Sequence, residues 1–397
     1  MSELNYLEKL LDGTEVEWKA LGDVTSVLRG KRLTKNLLSA EEKFPVFHGG
    51  LEPLGYYNKS NRPANTVMII NVGASAGTVG YSTVDFWSSD GCFCLEHNEL
   101  LNNRFLYFAL IGYQSLLKSK VRVAGIPTLD AIVVNKLLIP IPCPENPEKS
   151  LAIQSKIVRI LDRFSALTAE LTAELTAELN MRKKQYNYYR DQLLSFDEEQ
   201  EKPIYLEKLL DGVEVEWLPL SDLARIRNGK DHKSLSEGEF PVYGSGGIMR
   251  YVDTYAYNKP SVLIPRKGSL GNLFFIDVPF WTVDTIFYTE IDEAQIRPKY
   301  LYYFLSTVGL GEMNQAGGVP SQTQSVLNKL KIPIPCPDNP EKSLAIQSEI
   351  VRILDKFDTL TNSITEGLPR EIELRQKQYE YYRDLLFSFP KPETISN

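Results

Sequence analysis

The sequence contains few of the residues on which metal and nucleophilic chemistry depend. Its 397 residues include three histidines and four cysteines, of which Cys92 and Cys94 are spaced C-x-C and Cys143 and Cys336 are isolated. This pattern excludes a disulfide framework and the usual zinc spacings, and it favours free thiols in a reducing cytoplasm. The phosphate-loop motif, the dinucleotide-binding motif and H-E-x-x-H are also missing. We therefore interpret the chain as non-enzymatic, with no metal site and no catalytic residues of its own.

Long apolar runs are absent as well. No stretch approaches the ~18 uncharged apolar residues that span a bilayer. The first residues, MSELNYLEKLLDG, lack the basic segment and the apolar core of a signal peptide. Hydrophobic residues make up 43% of the chain and charged residues 24%, which excludes a disordered or fibrous protein. The composition predicts a globular, cytoplasmic protein that has no membrane partner.

Positive charge is in the minority, with 44 Lys+Arg against 51 Asp+Glu and a net charge of −7. A net acidic chain argues against a nucleic-acid partner, because phosphate binding usually leaves a basic footprint. However, residues 1–140 contain 14 charges of each sign and sum to zero, so the acidity lies in the rest of the chain. The net charge is an average over unlike segments and does not by itself exclude DNA.

Three sequence blocks occur twice. Residues 6–18 return at 205–217 with 12 identities in 13, residues 139–164 return at 332–357 with 23 in 26, and residues 182–196 return at 375–389 with 11 in 15. A repeat of this length is far above the 20–45 residues of solenoid repeats. The pattern predicts a duplicated domain with a pseudo-two-fold internal repeat.

Each half is a divergent module followed by a nearly invariant segment. We place the first module at residues 1–143, the first invariant segment at 144–199, the second module at 200–336 and the second invariant segment at 337–397. In the modules, short apolar runs that end at glycine and serine loops predict buried strands, and residues 104–117 and 300–308 have helical spacing. The predicted fold class is mixed α/β (α+β), present in two copies.

The invariant segments predict two long helices, with Ser150 and Ser343 as N-caps. Apolar side chains near 4-3-4 spacing predict a seam between the helices, which would form an antiparallel coiled coil within the chain. The seam residues are Ile157, Ile160, Phe164, Leu167, Leu171, Leu175 and Leu179 in the first segment and Ile350, Ile353, Leu354, Phe357 and Leu360 in the second. The second segment departs from the first at Gly367 and Pro369, which predict a kink or a break.

Candidate DNA contacts lie on loops of both modules. Clustered Lys and Arg beside glycine suit phosphate contacts, and the candidates are Arg29, Lys31, Arg32 and Lys35 in the first module and Arg225, Arg227, Lys230 and Lys233 in the second. Polar loop tips that differ between equivalent frames suit base readout, and the candidates are His48, Ser75 and Thr128 in the first module and Ser245, Arg266, Lys267, Ser269, Ser321 and Gln322 in the second. In this alignment residues 266–269 correspond to residues 72–75. Solvated surface turns and unconstrained loop drift are the competing interpretations.

The repeated blocks resemble a known family. The IPIPCP…EKSLAIQ…IVRILD blocks, the RKKQYNYYRDQLLSF block and the TAEL repeats at residues 168–179 are together similar to the specificity subunit (HsdS) of type I restriction–modification systems, and TAEL resembles the type IC subclass. The resemblance implies that each module is a target-recognition domain that reads one half of a bipartite double-stranded DNA site. It also implies that the helices set the spacing between half-sites and dock two methyltransferase (HsdM) subunits.

The same resemblance places the chemistry on partners. S-adenosylmethionine would be bound by the methyltransferase subunits, and ATP and Mg²⁺ would be used by motor-nuclease (HsdR) subunits, so this chain would hold no cofactor. Two alternatives stay open at this point. One is a coiled-coil scaffold whose modules bridge proteins and never touch DNA, and the other is a specificity subunit that serves a methyltransferase lacking a nuclease.

Overall fold

The computed structural model describes residues 4–196, 204–210, 213–314, 318–362 and 366–390. The chain divides into two compact units. Unit 1 comprises Met1–Glu174 and Ile372–Asn397, and unit 2 comprises Leu175–Glu371. Each unit therefore combines one divergent module with parts of both invariant segments.

The first module alternates short strands with short helices, and a long helix follows it. In chain order the elements are α1 (Leu4–Leu11), β1 (Val16–Ala20), α2 (Leu21–Val24), β2 (Val27–Arg29), a 3₁₀ helix (Lys35–Leu37), β3 (Phe44–Phe47), β4 (Gly55–Tyr57), β5 (Thr66–Ile70), β6 (Val79–Ser82), β7 (Trp87–Ser88), β8 (Cys92–Leu95), α3 (Asn103–Gly112), α4 (Gln114–Ser119), α5 (Ala131–Asn135), β9 (Leu138–Pro142) and α6 (Pro147–Leu194).

The second module repeats this order closely, and two helices follow it. The elements are α7 (Ile204–Leu209), β10 (Val215–Pro219), α8 (Leu220–Leu223), β11 (Ala224–Asn228), β12 (Phe240–Gly244), β13 (Gly247–Val252), β14 (Ser261–Pro265), β15 (Phe274–Ile276), β16 (Trp281–Thr282), β17 (Ile286–Ile291), α9 (Pro298–Leu305), a 3₁₀ helix (Leu310–Glu312), α10 (Gln324–Leu327), β18 (Lys331–Pro335), α11 (Pro340–Asn362) and α12 (Gly367–Leu386).

The two modules have the same sheet topology. In the first, a four-stranded sheet has the order β2-β8-β5-β6, a three-stranded sheet has the order β4-β3-β7, and β1 pairs with β9. In the second, the corresponding orders are β11-β17-β14-β15 and β13-β12-β16, with β10 paired to β18. The predicted duplication and the mixed α/β class are confirmed. Two of the apolar runs that predict buried strands, at residues 67–72 and 261–264, coincide with β5 and β14, and every residue of both strands is buried.

The helix expected over residues 104–117 is two helices, α3 and α4, which meet at Tyr113. The backbone N–H groups of Arg104 and Phe105 donate to the side chain of Asn102, which caps α3. The helix expected over residues 300–308 is α9, which begins earlier, with Pro298 in its first turn. Proline is favoured there because the first helical N–H groups have no partner within the helix.

The N-caps predicted for the long helices are wrong. The side chain of Asn146 accepts a hydrogen bond from the Lys149 N–H at 3.0 Å, and Asn339 does the same for the Lys342 N–H at 3.0 Å. These asparagines precede α6 and α11, and the serines predicted as caps, Ser150 and Ser343, are buried inside the helices. An asparagine followed by proline is an equally strong start signal, because proline needs no partner for its nitrogen.

The seam predicted along α6 is wrong in part. Ile157 is fully buried with Ile153 and Leu161 in the core of the first module, a core that also includes Leu386 of α12. Further along α6, the ring of Phe164 stacks on Tyr382 of α12 at 5.3 Å. Leu167 is 51% exposed and is not a seam residue. The heptad count fails because the first turns of α6 pack mainly into the core of the module, and only later turns stack against α12.

The helix pairing in unit 1 is antiparallel. Phe164 meets Tyr382, and Ser165 is hydrogen-bonded to Tyr379 at 3.0 Å, so an advance along α6 meets an earlier residue of α12. In unit 2 the end of α6 meets α11, where Tyr189 lies 5.5 Å from Phe357. Ile350 and Leu354 are fully buried in the core of this unit, and Ile353 and Phe357 pack against it.

The remaining predicted seam residues are half-buried. They are Ile160, Leu171, Leu175, Leu179 and Leu360. The predicted interruption near Gly367 is confirmed, since Glu366, immediately before α12, lies outside any helix. Gly367 has a φ of +77°, and a Cβ there would lie 2.6 Å from the carbonyl oxygen of Thr359, so no other residue fits without strain. Among the described helices, none combines the length and apolarity needed to cross a membrane.

The observed caps can be tested by substitution. We expect Asn146→Ala and Asn339→Ala each to lower the free energy of unfolding by about 1 kcal/mol, because the Lys149 and Lys342 N–H groups lose their acceptors. Urea unfolding followed by circular dichroism measures the change. Asn146→Asp and Asn339→Asp are the matched controls, since aspartate caps as well as asparagine. An equal loss in the aspartate variants would contradict the assignment.

Candidate nucleic-acid interface

A glycine–lysine pair is held in the same way in both modules. The Lys31 N–H donates to the Ser88 carbonyl at 2.9 Å, and the Lys230 N–H donates to the Thr282 carbonyl at 2.8 Å. The indole N–H of Trp87 donates to the Lys31 carbonyl at 2.8 Å, and Trp281 does the same for Lys230 at 3.1 Å. Both lysine side chains are exposed. The backbone of the pair is therefore fixed while the ammonium group faces solvent.

The glycine of each pair permits this close approach. A Cβ on Gly30 would lie 2.2 Å from the Ser89 carbonyl oxygen, and a Cβ on Gly229 would lie 2.0 Å from that of Val283. The backbone that would clash belongs to β7 and β16 or directly follows them. Any larger residue would push the loop, and its lysine, away from the sheet.

The first module brings two residues of its predicted basic cluster, Arg32 and Lys35, to one concave surface. Arg29, Lys31, Arg32 and Lys35 are all exposed. A cavity of about 430 Å³ is lined by Arg32, Thr34 and Lys35 from the loop after β2, by His48 from the end of β3, and by Ser89 and Asp90. The first and the last of these segments are more than 50 residues apart in the sequence, and the fold brings them together.

His48 is held at this cavity by an acidic neighbour. Its Nδ1 lies 3.4 Å from the Asp90 carboxylate, and the Asp90 carbonyl accepts a hydrogen bond from Arg29 Nε at 3.1 Å. Asp90 therefore positions two predicted contact residues. Asp90 and Asp284 occupy equivalent positions in the two modules, shortly after the Phe-Trp pairs at residues 86–87 and 280–281. Asp90 is not among the predicted site residues, because a carboxylate carries no signal for phosphate binding.

The other predicted tips of the first module lie beside His48. Thr128 forms an isolated bridge with Val72, and the Gly73 N–H donates to the Pro127 carbonyl at 2.9 Å. Gly91 packs against both Val72 and His48. Ser75 is half-buried in the turn that follows, where its carbonyl accepts from the Thr78 N–H at 3.0 Å. Val72 and Gly91 thus connect the loops that carry His48 and Thr128, and Ser75 lies three residues beyond Val72.

One exposed cation in this cluster was missed by the sequence reasoning. Arg122 exchanges backbone hydrogen bonds with Thr128 of 2.9 and 3.0 Å, and its side chain is largely exposed, 3.8 Å from Asp130. Lys118, Lys120 and Arg122 fall within five residues, so a basic cluster does mark this loop in the sequence, but it lies away from the glycine–lysine pairs on which the candidates were chosen. Val123 and Ile126, on the same loop, are also strongly exposed.

The second module presents a different set of charges on the same frame. Arg227 donates to Glu290 at 2.9 Å, a hydrogen bond that raises the pKa of its guanidinium, and Arg225 lies opposite Glu290 in the β11–β17 register. The charge of Arg227 is therefore partly neutralised. Lys230 and Lys233 are exposed, and the Lys233 N–H donates to Asp231 at 3.1 Å, which lowers the pKa of that carboxyl. Asp231 occupies the position of Arg32, so the charge is reversed there.

The loop after β14 is pinned on both sides. The N–H groups of Arg266 and Lys267 donate to the Thr285 carbonyl at 3.0 and 3.3 Å, and Lys267 forms a bridge with Ser321. Lys267 and Ser269 are exposed, and Lys267 Nζ lies 3.8 Å from Asp284. Ser245 is half-buried beside this loop, and its carbonyl accepts from Asn272 at 3.4 Å.

Two predictions for this loop need correction. Gln322 is 2% exposed and donates to the Pro265 carbonyl, so it braces the loop from beneath and does not present its amide to a ligand. Arg266 is half-buried, and its guanidinium carbon lies 5.2 Å from the Phe287 ring centroid. Of the predicted residues at positions 266–269, those with exposed side chains are Lys267 and Ser269.

The alignment of this loop with the first module also shifts by one residue. The Gly268 N–H donates to the Pro320 carbonyl at 2.8 Å, as Gly73 does to Pro127. Lys267 therefore corresponds to Val72 rather than to Gly73, and the left-handed glycines Gly73 (φ +88°) and Gly268 (φ +79°) coincide. The sequence alone could not place the gap, because both loops are rich in glycine.

The sequence of the chain matches a known protein family. The family model described as "Type I restriction modification DNA specificity domain" matches twice, over residues 14–181 and 212–374, which is well over half of the chain. The chain belongs to this family. The type I DNA specificity family thus accounts for the duplication, and each of its two matches includes one loop cluster of the kind described above.

Relatives and solved structures agree with the family assignment. The chain is 40% identical over 439 aligned residues to the EcoR124I/EcoR124II specificity subunit of Escherichia coli, with 100% of both chains covered. It is 35% identical to the EcoprrI specificity subunit of Escherichia coli, covering 92% of this chain and 93% of that protein. The S subunit of a type I system from M. genitalium shares the fold, with a TM-score of 0.51, 22% identity and coverage of 96% and 98%.

A glycine substitution tests the frame of the interface. We expect Gly30→Ala and Gly229→Ala to lower the free energy of unfolding by about 1–3 kcal/mol, because the added Cβ overlaps a backbone carbonyl that cannot move independently of its strand. Thermal unfolding of the full chain measures the loss. Gly50→Ala is the matched control, because a Cβ there would meet no atom within 4 Å. Unchanged stability in Gly30→Ala would contradict the close approach.

Proposed function

We propose that the chain is a non-catalytic subunit that gives a type I restriction–modification complex its DNA sequence specificity. Each divergent module reads one half of a bipartite double-stranded site. The observation that carries this proposal is the pair of equivalent loop clusters, which share a backbone frame and differ in their exposed side chains. A protein that reads two different short sequences needs this combination, since phosphate contacts fix register and base contacts specify.

Matched positions support the assignment of separate roles. Lys31 and Lys230 are exposed on identical backbone frames, and a lysine that takes the same position in both halves suits phosphate. Asp90 and Asp284 are also equivalent, yet the first lies beside His48 and the second beside Lys267. The polar group offered at this point therefore differs between halves. His48 and Lys267, with Ser75, Thr128, Ser245, Ser269 and Ser321 around them, are our candidates for base readout.

The helices have a separate role in this proposal. α6 and the α11–α12 segment set the distance between half-sites and dock two methyltransferase subunits, and a complex that also contains motor-nuclease subunits can cleave DNA. S-adenosylmethionine, ATP and Mg²⁺ belong to those partners. The TAEL repeats, in the manner of the type IC subclass, form the adjustable part of the ruler. We assign residues 1–143 and 200–336 to recognition and residues 144–199 and 337–397 to spacing and assembly.

Salt dependence of DNA binding tests the proposal. The full chain, with its methyltransferase partner, should bind duplex DNA with a steep negative slope of log K against log salt, and Lys31→Ala or Lys230→Ala should each make the slope shallower by about 1 while weakening all sequences alike. Lys9→Ala, an exposed lysine of α1 outside the clusters, should leave the slope unchanged. Binding without salt dependence, or no binding to DNA, would favour the protein-bridging scaffold.

The ruler is tested by shortening α6. Deleting one four-residue TAEL unit shortens α6 by about 6 Å. It also changes the rotation between the two ends of the helix by one full turn plus about 40°. At about 3.4 Å per base pair, the two half-sites should approach by one or two pairs while their sequences stay the same. Genome-wide mapping of methylated adenine for the two variants measures the spacer. An unchanged spacer would reject the ruler.

Module exchange tests the division of labour. Replacing residues 20–135 with the matching segment of another member of the family should change one half-site and leave the other intact, because the second loop cluster is built entirely within unit 2. Methylation mapping again gives the answer. A change in both half-sites would contradict modular reading.

A further inference from the structure

A buried glutamine of α6 holds the turn that starts the main helix of the first module. Gln154 is 0% exposed. Its Oε1 accepts from the Asn102 N–H at 2.8 Å, and its Nε2 donates to the Leu100 carbonyl at 3.0 Å and to Ser150 Oγ at 3.1 Å. Asn102 is the N-cap of α3, so the amide fixes the point where the module's helix begins.

The second module repeats this contact atom for atom. Gln347 of α11 is also 0% exposed. Its Oε1 accepts from the Arg297 N–H at 2.8 Å, and its Nε2 donates to the Gln295 carbonyl at 3.1 Å and to Ser343 Oγ at 3.1 Å. Arg297 is the N-cap of α9. The same amide therefore holds the same turn in both units.

A second attachment lies about two turns further along each helix. Asp162 is paired with Arg104 at 2.8 Å, and Asp355 is paired with Lys299 at 2.8 Å. In both cases the carboxylate is eight residues beyond the glutamine, about 12 Å along the helix axis. Two points fix a direction as well as a position, so each module helix is oriented on its long helix.

The glutamines recognise backbone and not side chains. The turn reads LLNNR at residues 100–104 and QIRPK at residues 295–299, with no identity in five positions. The module partners of both amides are nonetheless one carbonyl and one N–H, two residues apart. The contact thus tolerates divergence of the module sequence, provided that the turn keeps its shape.

We propose that Gln154 and Gln347 are positioning residues for DNA recognition, each seating one module on its helix in a fixed orientation whatever that module reads. The proposal rests on the function proposed above. A buried amide is a rigid connector here because loss of its pairing leaves buried N–H and carbonyl groups unsatisfied, and the turn must then move to reach water. A displaced turn tilts the module, which shifts its half-site along the DNA.

The experiment compares Gln154→Leu and Gln347→Leu with the parent chain, each in complex with its methyltransferase partner, by sequencing duplexes selected from a random pool. We expect the two half-site sequences to stay unchanged. The fraction of selected sites whose spacer differs from the parent spacer by one or two base pairs should rise about tenfold, which corresponds to about 1.4 kcal/mol.

Ile157→Val and Ile350→Val are the matched controls, because they loosen the same helix faces without touching the amides. They should lower the unfolding temperature and leave the spacer distribution of the parent. If the leucine variants also keep the spacer distribution of the parent and only lower the unfolding temperature, the glutamines are merely structural and the proposal is overturned. If the parent chain itself selects no bipartite site, the proposed function fails. This outcome differs from failure of the glutamine proposal, in which the parent still selects a bipartite site.

A milder variant keeps the test decisive if Gln154→Leu does not fold. Ser150→Ala removes the helical brace of the Gln154 amide and retains both bonds to the turn. A smaller broadening of the spacer in the same direction supports the proposal. An unchanged spacer distribution in Ser150→Ala and in Gln347→Leu overturns it.

Discussion

The burial of one face of each long helix in the core of a module is the constraint on which the rest of the structure depends. Ile153, Ile157 and Leu161 complete the core of unit 1, and Ile346, Ile350 and Leu354 complete that of unit 2. Because these residues lie four apart, they form one face of each helix, and that face is buried in the core of the module. Phe164, which stacks on Tyr382, continues the same stripe further along α6, because 3.6 residues per turn place it within about 20° of Ile153 around the helix axis.

The loop clusters show how one scaffold supports two surfaces. Gly30 and Gly229 admit the same close backbone approach, and Trp87 and Trp281 hold the same lysine carbonyl. These elements fix the position of the loops through backbone groups. Arg32 directly follows Lys31, and Asp231 directly follows Lys230. These two equivalent positions carry opposite charges on the same backbone frame. A net charge of −7 is therefore a poor guide to this surface, since the relevant charges are local.

The sequence was sufficient for the duplication, the fold class, the long helices and the interruption near Gly367, because repeats and periodicity are local signals. It was insufficient where tertiary contacts choose between equivalent patterns. Leu167 fits the heptad as well as Ile157 does, yet only the latter meets a core. Gln322 has the polarity of a surface donor, but the neighbouring carbonyl of Pro265 binds its amide below the surface. The strand order of the sheets decides which loops lie near His48, and the local patterns of a single sequence do not reveal that order.

The sharing of the invariant segments between units also governs the order in which the chain can fold. Unit 2 is continuous in sequence, whereas unit 1 needs residues from both ends of the described chain. Phe105 is fully buried, and Phe387 and Phe389 lie 5.0 and 6.3 Å from its ring. During synthesis on the ribosome, the module made first must wait with part of its core open until these two phenylalanines emerge. The module made second can close before it.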